Sequence, residues 1–243
     1  MRQESSKLLN AKVKKNITTG YFFRTGFEAQ TYIHEPSIHP NVIPSKNMEI
    51  IFATGNPNKI KEVNQILGAT GIIIKGLKDI DCTEDIPETQ STIQGNAIQK
   101  ADYITQKYQV DCFSEDTGLE VDALNGEPGV NTARYAGESK DADANMAKIL
   151  EKLGETSNRK ARFRTVIALN LEGKQHVFEG ICEGTIAYKK TGKGGFGYDP
   201  IFLPQGYNGK SFAELTKEEK NKISHRGIAV RKLMFFLDGL RPL

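Results

Sequence analysis

From residue 48 onward, the apolar positions of this 243-residue chain pass between continuous runs, a period of two and a period near 3.6, and each change of pattern marks an element. Residues 49–54 form a short apolar run closed by Gly55, which predicts a buried strand. Over 58–67, Ile60, Val63, Ile66 and Leu67 fall at helical spacing, with Gly68 as the stop. Residues 72–74 predict a second strand. Residues 92–108 predict a helix with Ile93, Ala97, Ala101, Ile104 and Tyr108 on one face. Residues 111–114 and 119–121 read as two strands around a turn. Asp141 suits the N-cap of a helix whose apolar face is Met146, Ile149, Leu150 and Leu153, with Gly154 after its end. Residues 162–171 alternate, placing Phe163, Ile167, Leu169 and Leu171 on one side. Glu172-Gly173-Lys174 turns the chain into a second alternating run to Ala187, a long antiparallel hairpin. Ser224 caps a last helix that ends before Gly239. Alternating strands and helices followed by a hairpin give one mixed α/β domain over 48–243, without an internal repeat.

Residues 1–47 lack any such period and are punctuated at their end by Pro36, Pro40 and Pro44. They hold seven Lys or Arg against three acids, so they carry +4 of a net +3 and leave −1 on the remaining 196 residues. The pI near 8.6 therefore belongs to this basic N-terminal extension. It has no apolar core that would make it a secretory signal. A transit peptide and an added leader upstream of a natural start at Met48 are the two readings, and the strand that begins at Met48 favours the second. Asn16-Ile17-Thr18 fits a glycosylation sequon, without meaning in the cytosol. No apolar run approaches the ~18 residues of a membrane span. Three cysteines at 82, 112 and 182 form no CxxC pair, which excludes a zinc ribbon and points to incidental thiols in a reducing, cytoplasmic setting.

Candidate chemistry lies at six places. Thr54-Gly55-Asn56-Pro57-Asn58-Lys59 joins a strand to a helix, with Asn56 at the N-cap and Pro57 at the first helical position. A helix start of this kind offers N–H groups and partial positive charge to a phosphate. Lys59 in the first turn is an electrostatic conflict that an anion would relieve, although an ordinary βα turn with a solvated lysine has the same spacing. Ser114-Glu115-Asp116-Thr117-Gly118 sets two acids at a strand end, where one carboxylate can face a site and the other support it; a polar turn is the alternative. Glu88 sits in the acidic stretch 81–88 and, with Asp116, would suit Mg²⁺. Lys100 falls within the apolar stripe of its helix, so it must snorkel or meet an anion. Over 192–200 the chain contains GxGxxG, but no helix follows, so a dinucleotide site is excluded. Phe196, Gly197, Tyr198 and Asp199 suit a planar heterocycle instead, or else a turn with its aromatics in the core. Lys220, His225 and Arg226 can donate hydrogen bonds to carbonyl or phosphate oxygens.

TGNPNK, SEDTGL, GGFGYDP and EKNKISHR, in that order, resemble the motifs of the inosine triphosphate pyrophosphatase-like family, the XTP/dITP diphosphatases, from residue 48 to about 240. The resemblance implies an elongated mixed, partly antiparallel, twisted central sheet flanked by helices, in two lobes with a nucleotide cleft between them. It implies a homodimer and Mg²⁺-dependent hydrolysis of ITP, dITP and XTP to the monophosphate and pyrophosphate, which clears deaminated purines from the nucleotide pool. By position, the resemblance assigns the triphosphate to Thr54, Gly55, Asn56, Pro57, Asn58, Lys59 and Lys100, and a substrate-contacting hydroxyl to Thr117. Asp116 takes the catalytic place, as general base or metal ligand, and Glu88 a further metal ligand. Phe196, Gly197, Tyr198 and Asp199 match the base-binding loop; Lys220, His225 and Arg226 match contacts to a 6-keto purine. Gly95, where many relatives carry Glu, and Glu115, where bacterial relatives often carry Asp, are departures.

Two other classes are set against this one. A non-catalytic nucleotide-binding module would lack the acids, which are present. A nucleic-acid binder would depend on the basic extension, and the −1 body does not favour stable nucleic-acid binding. Among enzymes, the alternative is a pyrophosphatase for modified pyrimidine or dTTP-like substrates.

Overall fold

The computed structural model describes residues 48–67 and 72–240. The extension 1–47, with its sequon and its boundary at Met48, and the helix stop at Gly68 lie outside the described residues. The strands are β1 (Met48–Phe52), β2 (Ile72–Lys75), β3 (Cys112–Val121), β4 (Pro128–Gly129), β5 (Lys160–Leu171), β6 (Lys174–Ile186) and β7 (Phe202–Pro204). The helices are α1 (Pro57–Leu67), α2 (Ile93–Tyr108), α3 (Ala142–Leu153), α4 (Lys217–Ile223) and α5 (His225–Asp238). One mixed sheet runs β2-β1-β3-β5-β6-β7, with β4 beside β3. β1 lies parallel to β2 and β3, and the other pairings are antiparallel. Among the described residues, no helix is long and apolar enough to cross a membrane.

The pleat of the central strands decides what each face meets. Ile50 and Phe52 of β1, Phe113 of β3, and Ile167 and Leu169 of β5 pack in one core with α1 and α5. Their neighbours Ile51, Ala53, Cys112, Val166 and Ala168 pack on the opposite side in a core with α2. Phe52 and Phe113 stack with centroids 4.4 Å apart. Full burial of side chains this size contributes about 1.5–3 kcal/mol each. A third core gathers Leu119, Val121, Phe163, Phe202 and Phe212 against Met146, Ile149 and Leu153 of α3.

The helix caps agree with the sequence. Asp141 Oδ1 accepts from Asp143 N at 2.8 Å, and Ser224 Oγ accepts from Gly227 N at 3.0 Å. One expectation is corrected: 112–121 is a single strand, not two strands around a turn. Its register with β5 runs unbroken from Cys112↔Asn170 to Val121↔Ala161. Gly118 is required by crowding rather than by a turn, because a Cβ there would lie 2.5 Å from Ile93 Cδ1 and 2.7 Å from the Gly129 carbonyl oxygen.

Close approach also fixes α5 on the sheet. A Cβ on Gly180 of β6 would stand 2.0 Å from the His225 carbonyl oxygen and 2.6 Å from Ala229 N. Both obstacles are backbone, so Gly180→Ala must push the start of α5 away from the sheet. A loss of about 1–3 kcal/mol is expected, as for overpacking generally. It would be read as a fall in Tm together with weaker turnover, since His225 and Arg226 move with the helix.

Candidate active site

The sequence after β1 builds the first wall. Asn56 Oδ1 accepts from Asn58 N at 2.9 Å, and Asn56 N donates to Thr54 Oγ1 at 3.2 Å, so the loop is set by its own side chains and α1 starts at Pro57. Lys59, in the first turn, lies 3.1 Å from Glu115 Oε1. A buried carboxylate of β3 thus relieves the conflict between this lysine and the helix dipole. Burial lowers the Lys59 pKa and outweighs the opposing pull of Glu115.

The two acids of β3 point to opposite faces, as adjacent strand residues must. Glu115, 1% exposed, faces α5 and is held by Arg226 through Nε–Oε2 and Nη2–Oε1 contacts of 2.8 Å each. Burial pushes its pKa up, but Arg226 and then Lys59 hold it well below the usual carboxylate range. Asp116, 9% exposed, faces α2. Lys100 Nζ stands 3.3 Å from Asp116 Oδ1 and 2.6 Å from Glu88 Oε1, so this lysine meets carboxylates and does not snorkel. Burial raises the Asp116 pKa against the pull of Lys100. At Glu88 burial also acts upward, yet the charge and hydrogen bond of Lys100 leave it lowered.

The opposite wall comes from the glycine-rich loop and from α4 and α5. Asp199 Oδ2 accepts from Phe196 N at 2.8 Å and from Lys220 Nζ at 2.7 Å. Gly195 permits this turn, because its φ is +73° and a Cβ would stand 2.1 Å from Asp199 Oδ2. The two aromatics divide between the sequence readings. Tyr198 is buried in the third core and donates its hydroxyl to the Thr132 carbonyl at 2.8 Å. Phe196 is half-buried at the cleft, with Lys220 Nζ 4.8 Å from its ring centroid. Thr117 Oγ1 lies 2.6 Å from Thr165 Oγ1.

The site residues that the resemblance assigns, from Thr54 to Lys59 and on through Glu88, Lys100, Asp116, Thr117, Phe196, Gly197, Tyr198, Asp199, Lys220, His225 and Arg226, line one cleft of about 880 Å³. Four further residues contact this set. Glu62 accepts from Lys220 Nζ at 2.9 Å and also pairs with Arg226 Nη1. Its signal was its place three residues after Lys59, on the same face of α1. Asn96, four before Lys100 on α2, donates to Asp116. Arg134 approaches Glu88 Oε2 at 3.7 Å. Phe163 stacks on His225 with centroids 4.5 Å apart.

His225 is buried with Nδ1 unpaired among the described residues. Burial, then the charges of Arg226 and Lys220, lower its pKa well below 6.5. The imidazole is therefore neutral in the folded chain and cationic in the unfolded chain below that pH. Its contribution to stability is complete above about pH 6.5 and is lost as pH falls, at up to ~1.4 kcal/mol per pH unit. Between pH 6.5 and 5, Tm is expected to fall more steeply in the native protein than in His225→Asn.

The Ham1 family model matches residues 50–236. A protein of Flavobacterium johnsoniae named dITP/XTP pyrophosphatase is 60% identical over 194 residues, covering 80% of this chain and 100% of the relative. A Bacillus subtilis protein of the same name is 46% identical, covering 79% and 98%. Among solved structures, the Staphylococcus aureus Ham1 protein superposes with TM-score 0.72 at 42% identity, covering 79% of this chain and 98% of that one. A HAM1 protein from Coxiella burnetii gives 0.73 at 37% identity, covering 79% and 99%.

Proposed function

The chain belongs to the Ham1 family, and from that premise we propose that it is a dITP/XTP pyrophosphatase, hydrolysing ITP, dITP and XTP to the monophosphate and pyrophosphate. The observation that carries this reading is the meeting of three groups in one cleft: the phosphate-binding type of helix start at 54–59, the pair Glu88–Asp116 beside Lys100, and the donors Lys220, His225 and Arg226 together with Phe196.

The donor set suits Mg²⁺. Glu88 and Asp116 converge on a single ammonium group, so a positive charge is already accommodated where both face. Among the described residues, no group of three or more His, Cys, Asp or Glu could hold a metal. Two carboxylates, with substrate phosphates completing the shell, is the usual arrangement for Mg²⁺ rather than for a resident zinc. Glu88 and Asp116 would hold it, and when bound it would neutralise charge on the phosphates.

The chain's own groups do the rest. The 54–59 loop and Lys59 bind phosphate oxygens, and Lys100 adds charge beside Asp116. Asp116, its pKa raised by burial, suits a group that accepts a proton from the attacking water. Lys220 and Arg226 offer N–H groups to a 6-keto oxygen. A 6-amino purine would leave such donors unpaired, at about 1–3 kcal/mol per group. Phe196 offers a face for the base. The expected homodimer and cytoplasmic location belong to this same proposal; the three cysteines are free and buried, in keeping with a reducing compartment.

A panel of ITP, dITP, XTP, dTTP and ATP, with and without Mg²⁺, tests the reading by resolving the products. Pyrophosphate release from the 6-keto purines, dependent on Mg²⁺, is expected. Orthophosphate as the sole phosphate product, or equal turnover of ATP, would overturn it.

A further inference from the structure

Asn96 makes two hydrogen bonds that tie separate parts of the cleft together. It is buried on α2, one turn before Lys100. Its Oδ1 accepts from Gln90 N at 2.9 Å, and its Nδ2 donates to Asp116 Oδ2 at 3.3 Å. A backbone N–H can bond only the oxygen end of an amide, so Gln90 dictates that the nitrogen end faces Asp116. Lys100 occupies the other carboxylate oxygen, Oδ1. Both oxygens of Asp116 are thus held from α2, and the plane of the carboxylate is fixed.

Gln90 also belongs to the segment that carries Glu88. That segment is fastened to α2 a second time through Gln99, whose Oε1 accepts from Thr89 N at 2.9 Å and whose Nε2 donates to Thr89 Oγ1 at 2.8 Å. Gln99 therefore shares the fastening role of Asn96, but its bonds go to Thr89 and not to the carboxylate.

Resting on the pyrophosphatase reading above, we propose that Asn96 is a positioning residue for the reaction: one amide orients Asp116 and docks the Glu88 segment beside it. Misplacement of a reacting group by about 1 Å can cost ~10²-fold in rate, which is the scale on which such a clamp acts.

The two duties are separable. Asn96→Asp retains an oxygen for Gln90 N but removes the donor to Asp116. Asn96→Ala removes both bonds. Gln99→Ala loosens the segment without touching Asp116. Pyrophosphate release from ITP is measured for each, with kcat and KM resolved, and Mn²⁺ binding in the presence of pyrophosphate is read by EPR. Expected is a fall in kcat of about 10–100-fold in both Asn96 variants, with KM little changed, and near-native kcat in Gln99→Ala. Mn²⁺ affinity should fall in Asn96→Ala by a similar factor. Native kcat in Asn96→Asp, or equal losses in Gln99→Ala and Asn96→Ala, would overturn the proposal and leave Asn96 a fastening alone. Should Asn96→Asp not fold, the comparison of Asn96→Ala with Gln99→Ala decides. A native protein that leaves ITP intact would overturn the reaction itself, an outcome distinct from any difference among the variants.

Discussion

Asp116→Asn should lower kcat for ITP about 10²–10⁴-fold, the range general acid–base groups supply, with the fold retained. The substitution is isosteric, so the side chain still fills its place beside α2, between Asn96 and Lys100, although its amide NH2 must face one of these two donors, a loss of about 1–3 kcal/mol. What it removes is the negative charge and the ability to take up a proton. Removing a buried charge also removes its desolvation cost, which offsets the lost attraction to Lys100. The fold should therefore persist while the chemistry is lost. Turnover measured alongside a thermal melt checks both halves, and native activity would remove Asp116 from the reaction.

Arg226→Met should cost about 3 kcal/mol of stability, toward the lower end of the range for breaking a buried ion pair. Arg226 makes three contacts within hydrogen-bonding distance to Glu115, a residue 1% exposed. Methionine would leave that carboxylate without its main partner in a setting where water cannot replace it. The cost stays near the lower end because Lys59 remains 3.1 Å from Glu115. Tm is expected to fall by roughly 6–12 °C, from a shift of about 2–4 °C per kcal/mol in a domain of this size. Adding Glu115→Gln should recover part of the loss, because a neutral amide needs no counter-charge. A double variant no more stable than Arg226→Met would place the cost in packing of the long side chain instead. In either background KM for ITP should rise, since the proposed donor to the base is gone.

The parts of the site that were legible in the sequence are those whose reasons are local. Asn56 and Pro57 signal a helix start through caps that act within two residues, and Ser224 does the same for α5. The glycine-rich loop shows its turn because φ at Gly195 and Gly197 is positive. The apolar run of β1 marks a buried strand, the alternation of β5 shows its two faces, and Lys100 stands out because it breaks an apolar stripe. What was not legible depends on partners far along the chain. Glu62 acquires its place only from Lys220 and Arg226, 158 and 164 residues later. Phe163 reads as an ordinary strand aromatic until His225 stacks on it. Gly118 reads as a turn because glycine has two uses, and the one that applies here is set by Ile93 and Gly129 rather than by its neighbours in sequence.

The ion pairs of the cleft also bear on how a substrate arrives. Lys59, Lys100, Lys220, Arg226 and Arg134 each already face a carboxylate. Opposite charges this close cancel one another's field within a few ångströms, so little attraction reaches into solvent to draw in a polyanion from a distance. On the proposed reading, a triphosphate would instead exchange with internal carboxylates for these cations as it seats. Capture is then governed by short-range exchange of partners, and its rate should change little with ionic strength, unlike that of an enzyme that steers its ligand through an open electrostatic funnel.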